Sequence, residues 1–178
     1  MKIMNELFIL GELMEGPQSG YNLHNLMQLS LGRHRKISYG VIYPLLEKFE
    51  NQGFLEIRSV ASEGKNKKVA TITEKGKKRF FELMKMPVTS GAHNTDIYLI
   101  KLDVMQHLAQ DEQIQLLDQF YEEQNDIIED TQGTLERLAK EDSKDHWYAS
   151  KKLELRLQQA TVAIKWIEKF KHELKNEW

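Results

Sequence analysis

Apolar residues at Ile3, Leu7, Leu10 and Met14 recur at helical spacing, and Gly16-Pro17 then stops the run. Ser19 offers an N-cap for a second helix holding Tyr21, Leu23, Leu26 and Met27, which fades near Leu31-Gly32. Ser38 can cap a third helix from Tyr39 to about Gln52. Its inward face is Ile42, Leu45, Leu46 and Phe49, and Gly53 is its stop. Pro44 lies inside this helix, where it removes one backbone bond and is expected to kink the first turns. The period then changes to two. Leu55 and Ile57 alternate with Glu56 and Arg58 in a run from Phe54 to Ala61, and a second run, Lys67 to Thr73, is rich in β-branched residues. Ser62-Glu63-Gly64-Lys65-Asn66 separates the two, so the pair reads as a hairpin with a basic tip. Thr73 caps a fourth helix with Phe80, Phe81 and Leu83, and Pro87 closes it.

Three helices, two strands and a helix in this order predict a winged helix-turn-helix domain over residues 1–87. Val88 to Asn94 shows no periodicity and reads as a linker. Residues 95–178 are then almost wholly helical. Asn94 or Thr95 can cap a helix through Ile97, Leu99, Ile100, Leu102 and Met105. A long helix opens near Asp111 with a seam of Ile114, Leu117, Tyr121, Gln124, Ile128, Thr131, Leu135 and Leu138, in alternating steps of three and four. The last helix repeats the pattern with Leu153, Leu157, Ala160, Ile164, Ile167 and Leu174, broken only by Lys171. Such seams serve either an intramolecular helical hairpin or a contact between two chains. The second is taken here for the final helix, whose seam runs to the chain's end and is otherwise left partly exposed. The expected fold is mainly α with a small β hairpin: a winged helix-turn-helix followed by an antiparallel helical dimerisation domain.

Charge divides along the same line. Residues 1–90 hold 14 Lys and Arg against 9 Asp and Glu, whereas residues 91–178 hold 11 against 18. A basic first half points to a polyanion as its partner. Arg33, His34, Arg35 and Lys36 precede the third helix, and Lys65, Asn66, Lys67 and Lys68 mark the tip of the hairpin. Two basic clusters therefore bracket a candidate recognition helix. Base edges are read by side chains near such a helix's start and phosphates by flanking cations. Ser38, Tyr39 and Tyr43 are accordingly placed at the groove, and Arg35, Lys36, Lys65, Lys67 and Lys68 on phosphates, with Asn66 among them. Tyr43 has two readings, a hydroxyl toward phosphate or a ring packed inward against Phe49.

Other chemistry finds little support. The chain has no cysteine, which excludes disulfides and thiolate zinc sites, and its six histidines lack metal-ligand spacing. No phosphate-binding glycine loop appears. No metal, cofactor or catalytic residue is expected. Neither a signal peptide nor a membrane span is evident, so the expected location is the cytoplasm. Tyr98, Trp147, Tyr148, Trp166 and Phe170 have two readings, core filling or the wall of an effector pocket, and no ligand-binding residue is assigned.

Several motifs resemble the PadR family of transcriptional regulators. Ile9 to Leu13 leading into Ser19-Gly20-Tyr21 is similar to that family's opening. Ser38-Tyr39-Gly40-Val41-Ile42-Tyr43-Pro44-Leu45-Leu46 is similar to its recognition helix, in which Tyr-Pro is tolerated. Gln52-Gly53-Phe54-Leu55 and Ile72-Thr73-Glu74-Lys75-Gly76 resemble its entry to and exit from the wing. Thr95 to Leu102 and Trp166-Ile167 are similar to the C-terminal helices of longer members. The resemblance implies a homodimer on a palindromic operator, usually repressing, and released by a small hydrophobic or phenolic ligand. Many members have an aromatic residue where this chain has His34-Arg35-Lys36, so ligand contacts from that region are not carried over. The competing reading is a winged-helix adaptor that binds protein and not DNA.

Overall fold

The computed structural model describes residues 2–30, 39–62, 65–88, 94–140 and 146–176, with the side chains at 2, 39, 61, 62, 65 and 66 left aside. It forms two compact units, Met1–Leu108 and Ala109–Trp178. In the first, α1 (Lys2–Glu15), α2 (Gly20–Ser30) and α3 (Tyr39–Asn51) precede a hairpin of β1 (Leu55–Ser62) and β2 (Lys65–Ile72). Helices α4 (Glu74–Lys85) and α5 (Asn94–Asp103) and a 3-10 turn (Met105–His107) follow. The core is where the helical periodicity puts it, with Leu7, Leu10, Leu23, Met27, Ile42, Phe49, Phe80 and Leu83 all buried.

Local chemistry explains the joints. Gly53 adopts φ +74° and ends α3: its N–H reaches Glu50 O at 2.9 Å and the Phe54 N–H reaches Phe49 O at 2.9 Å. These paired bonds satisfy the last helical carbonyls, and the Phe49 and Phe54 rings meet across them at 6.3 Å. Thr73 caps α4 by accepting from the Gly76 N–H at 3.1 Å, while its own hydroxyl donates to Gly53 O at 2.6 Å. The end of α3 and the start of α4 are thereby locked together. Pro44 does not break α3, which is continuous from Tyr39 to Asn51. The proline stands on the exposed side, where its ring displaces no core residue.

Two expectations change. The hairpin is longer than its sequence suggests, since antiparallel pairing runs from Leu55↔Ile72 out to Ser62↔Lys65. Lys65 and Asn66 thus belong to β2 and not to a loop. The division of the chain also moves, from the 88–94 stretch to Leu108/Ala109, because α5 packs on α1 and α2. Tyr98, Ile100, Asp96 and Lys101 are all buried, so α5 is enclosed on much of its circumference. Lys101 is 1% exposed and its ammonium donates to Met84 O at 2.9 Å and Met86 O at 2.6 Å. Those carbonyls end α4, so the lysine caps one helix from another; burial lowers its pKa to about 8.

The same α1–α5 junction holds Glu12, whose pKa rises from 4.5 to about 7 through burial, then through Asp103 and Glu15. Between those two values the folded state binds more protons than the unfolded one, so this group's contribution to stability falls as pH rises from 4.5 to 7. Glu12→Gln should therefore raise the melting temperature at pH 8, by a gain on the order of 1 kcal/mol after allowing for partial exposure. Near pH 4.5, where Glu12 is protonated when folded, the gain should vanish. Thermal melts at the two pH values check this, and an equal gain at both would show that charge is not the cause.

In the second unit α6 (Gln110–Lys140) and α7 (His146–Asn176) pack as an antiparallel hairpin. Lys171 pairs with Asp118, and Gln110 Nε2 donates to Leu174 O at 2.6 Å, so the start of α6 lies beside the end of α7. The seams face each other within the chain: Leu117, Gln124, Thr131, Ala160 and Ile167 are buried, and Leu153, Leu157, Ile164 and Leu174 are half-buried. Leu153, Leu157, Ala160, Ile164, Ile167 and Leu174, the residues expected at a contact with a second chain, thus also face α6 within the hairpin. Packing on α6 buries Ala160 and Ile167 and covers the other four in part. Trp147, Tyr148 and Trp166 stand exposed on α7, and Tyr98 is core.

Candidate nucleic-acid interface

Helices α2 and α3 form the helix-turn-helix, and the β1–β2 hairpin is the wing beside it. Ser19 starts α2 as foreseen: its Oγ accepts from the Asn22 N–H at 3.2 Å and its carbonyl from the Leu23 N–H at 2.9 Å. The residue before it supplies a joint that sequence periodicity missed. Gln18 pairs with Ala70, its N–H donating to Ala70 O at 3.0 Å and its carbonyl accepting from the Ala70 N–H at 2.8 Å. The α1–α2 connection is therefore a one-residue third strand on β2, tying the start of α2 to the base of the wing.

A groove of about 560 Å³ opens between these elements. Ser19, Gly20 and Tyr21 border it from α2, Tyr43 from α3, and Lys67 and Lys68 from β2. Both lysines are exposed, as is Tyr43 at 49%. The Tyr43 ring lies over Gly20, where an added Cβ would come within 2.7 Å of Cε1. The half-exposed ring thus rests on the start of α2. Glu47 and Glu50 also border the groove. Glu50 Oε1 accepts from the Ile57 N–H at 3.0 Å and fastens α3 to β1.

Of the residues expected to meet DNA, Tyr43, Lys67 and Lys68 are brought together on one groove. Arg35, Lys36 and Ser38 lie outside the described residues. Tyr39, Lys65 and Asn66 have described backbones, at the start of α3 and in the outer wing, but not described side chains. Tyr21, 58% exposed, was not foreseen as part of the site. The signal for it was its place two residues after the Ser19 cap, where a side chain projects from the helix-turn-helix's first turn. Among the described residues no group of three or more His, Cys, Asp or Glu could hold a metal ion, and no helix is long and apolar enough to cross a membrane.

A helix-turn-helix, a wing paired to its inter-helix connection and cations along the wing define a winged helix-turn-helix domain of the kind found in transcriptional regulators. Residues 9–82 match the transcriptional regulator PadR-like family, so the chain carries a PadR-like domain over that stretch. The negative transcriptional regulator PadR of Bacillus subtilis (strain 168) is 27% identical over 133 residues, 73% of this chain and 72% of that protein. Among solved structures, that of Bacillus subtilis PadR in complex with operator DNA is 22% identical, with 94% of this chain and 96% of that chain covered and a TM-score of 0.43. The structure of smu.1604c from Streptococcus mutans UA159 is 27% identical over 92% of this chain and 96% of that chain, with a TM-score of 0.44.

Proposed function

We propose that the protein is a sequence-specific DNA-binding transcriptional regulator that acts in the cytoplasm as a homodimer on a palindromic operator. The observation that carries this reading is the groove itself. Tyr43 of the recognition helix, the capped start of α2 and wing lysines Lys67 and Lys68 converge on one face of a PadR-like domain. Arg35, Lys36 and Lys65, with Asn66 among the wing-tip residues, extend the phosphate contacts, and Ser38 and Tyr39 join Tyr43 at the groove. The relationship to a negative regulator supports repression. Release by a small hydrophobic or phenolic ligand completes the reading, with no catalytic role. Selection of bound fragments from sheared genomic DNA at physiological salt tests it. Recovery of one or a few palindromic sites, with half-sites about 34–36 Å or a multiple apart, is the expected result. No enrichment of duplex DNA, together with salt-insensitive capture of a protein partner, would favour the winged-helix adaptor.

Dimerisation is assigned to the outer side of α7. With the seam buried against α6, Tyr148, Leu155, Val162 and Trp166 remain exposed at spacings of 7, 7 and 4, a single apolar stripe on one helix. A second copy of α7 is its proposed cover. Val162, 66% exposed, makes no demand on the hairpin's own core. Leu155→Glu with Val162→Glu should give a monomer by sedimentation at micromolar concentration, with helicity unchanged, and operator affinity should fall at least tenfold as the paired half-sites act singly. A variant that stays dimeric would move the interface elsewhere.

A further inference from the structure

The inward side of α3 is Ile42, Leu46 and Phe49, and its outward side from Gly40 to Glu47 is Gly40, Val41, Tyr43, Pro44 and Glu47. No guanidinium, ammonium or side-chain amide occurs anywhere in residues 40–47. The first cation, Lys48, is half-buried with its ammonium 5.5 Å from the Phe49 ring centre. Base edges in the major groove demand matched chemistry. Guanine N7 and O6 take arginine or lysine, adenine N6 and N7 take asparagine or glutamine, cytosine N4 donates to a carboxylate, and the thymine methyl takes an apolar surface. Over these eight residues α3 can answer only the last two, with Tyr43 adding a hydroxyl.

Three exposed positions share one side of the helix. Val41, Pro44 and Glu47 follow one another at three-residue steps, a rise of about 4.5 Å each, so they lie in a row along that side. Val41 is 37% exposed, and Pro44 and Glu47 are exposed beside it. Glu47 adds a second argument. Its neighbour Glu50 holds the Ile57 N–H, whereas Glu47 makes no ion pair or hydrogen bond among the described residues. It nonetheless borders the groove shared by Lys67 and Lys68. A carboxylate there repels phosphates and is held by no other group among the described residues, which leaves it available to accept from a base edge.

Resting on the DNA-binding reading, we propose that α3 specifies its half-site through thymine methyl groups seated on Val41 and Pro44 and one cytosine amino group donated to Glu47. This stretch of helix supplies no guanine- or adenine-specific fork.

The test uses the full-length protein and duplexes it selects from a random pool. Binding to the unmodified selected duplex comes first; its absence overturns the DNA-binding reading and this inference with it. Thymines are then replaced singly by uracil, which removes only the methyl group. At the contacted positions affinity should fall about fourfold per methyl. Val41→Ala and Pro44→Ala should each abolish that sensitivity at one position. Neither change threatens folding, because both side chains are exposed and alanine restores the N–H that Pro44 lacks. Glu47→Gln should reselect sites that differ at one base pair, from C·G to A·T. Uracil duplexes bound as tightly as thymine duplexes would overturn the methyl contacts. Identical consensus sites for the wild type and Glu47→Gln would overturn the role of the carboxylate.

Discussion

Gly76→Ala should lower the stability of the winged-helix unit by about 3 kcal/mol or more, a fall of more than 10 °C in its melting temperature. A Cβ at Gly76 would stand 2.0 Å from the carbonyl oxygen of Phe54 and 2.8 Å from Cγ1 of Ile72. The first of these atoms is backbone and cannot rotate aside. It is also committed, because Phe54 O accepts the Thr73 N–H at 3.0 Å. Relief requires α4 to move away from the end of α3, which breaks the Thr73 cap and the Lys75 Nζ bond to Gln52 O at 2.7 Å. Thermal unfolding followed by circular dichroism checks this. A loss under 1 kcal/mol would show that the two segments can slide apart without cost.

The second large effect is on binding. Replacing Lys67 and Lys68 with alanine should weaken operator affinity by roughly tenfold or more at physiological salt, and by a similar factor on unrelated DNA. Both side chains are exposed on β2 beside the groove, opposite Val60 and Ser59 of β1, so neither supports the core. The slope of log affinity against log salt should become shallower by roughly 0.9 for every phosphate that is no longer neutralised. Titrations at several salt concentrations supply the number. An unchanged slope would place the wing away from the DNA backbone.

The sequence announced those elements whose signal is periodicity or capping. Ser19, Thr73 and Gly53 perform the capping roles their chemistry suggests, and the apolar repeats of α1, α3, α6 and α7 mark the side each helix packs, although Ile3 stands exposed and several α6 and α7 positions are only half-buried. What escaped notice has no side-chain signature. The Gln18–Ala70 pairing is made wholly by backbone groups, which every non-proline residue possesses. The division at Leu108/Ala109 carries no glycine or proline, and the looser 88–94 stretch attracted the boundary instead. A seam of heptads states that a helix has a partner but not whether the partner is its own chain. Within the chain the α7 seam faces α6, and a separate apolar stripe stands exposed on its other side. Arg35, Lys36 and Ser38 stand as sequence-based assignments.

The Gln18 bridge also sets how the wing can move. Because its two bonds join the inter-helix connection to β2, the base of the wing cannot hinge without parting the chain just before α2. Bending is left to the outer half, beyond Val69. In hydrogen exchange the amides of Gln18 and Ala70 should therefore persist as long as those of the surrounding helices, although Gln18 lies in what reads as a loop. The outer strand pairs should exchange earlier. Such a gradient would let the lysines adapt to the local width of a DNA groove while the start of α2 keeps its register.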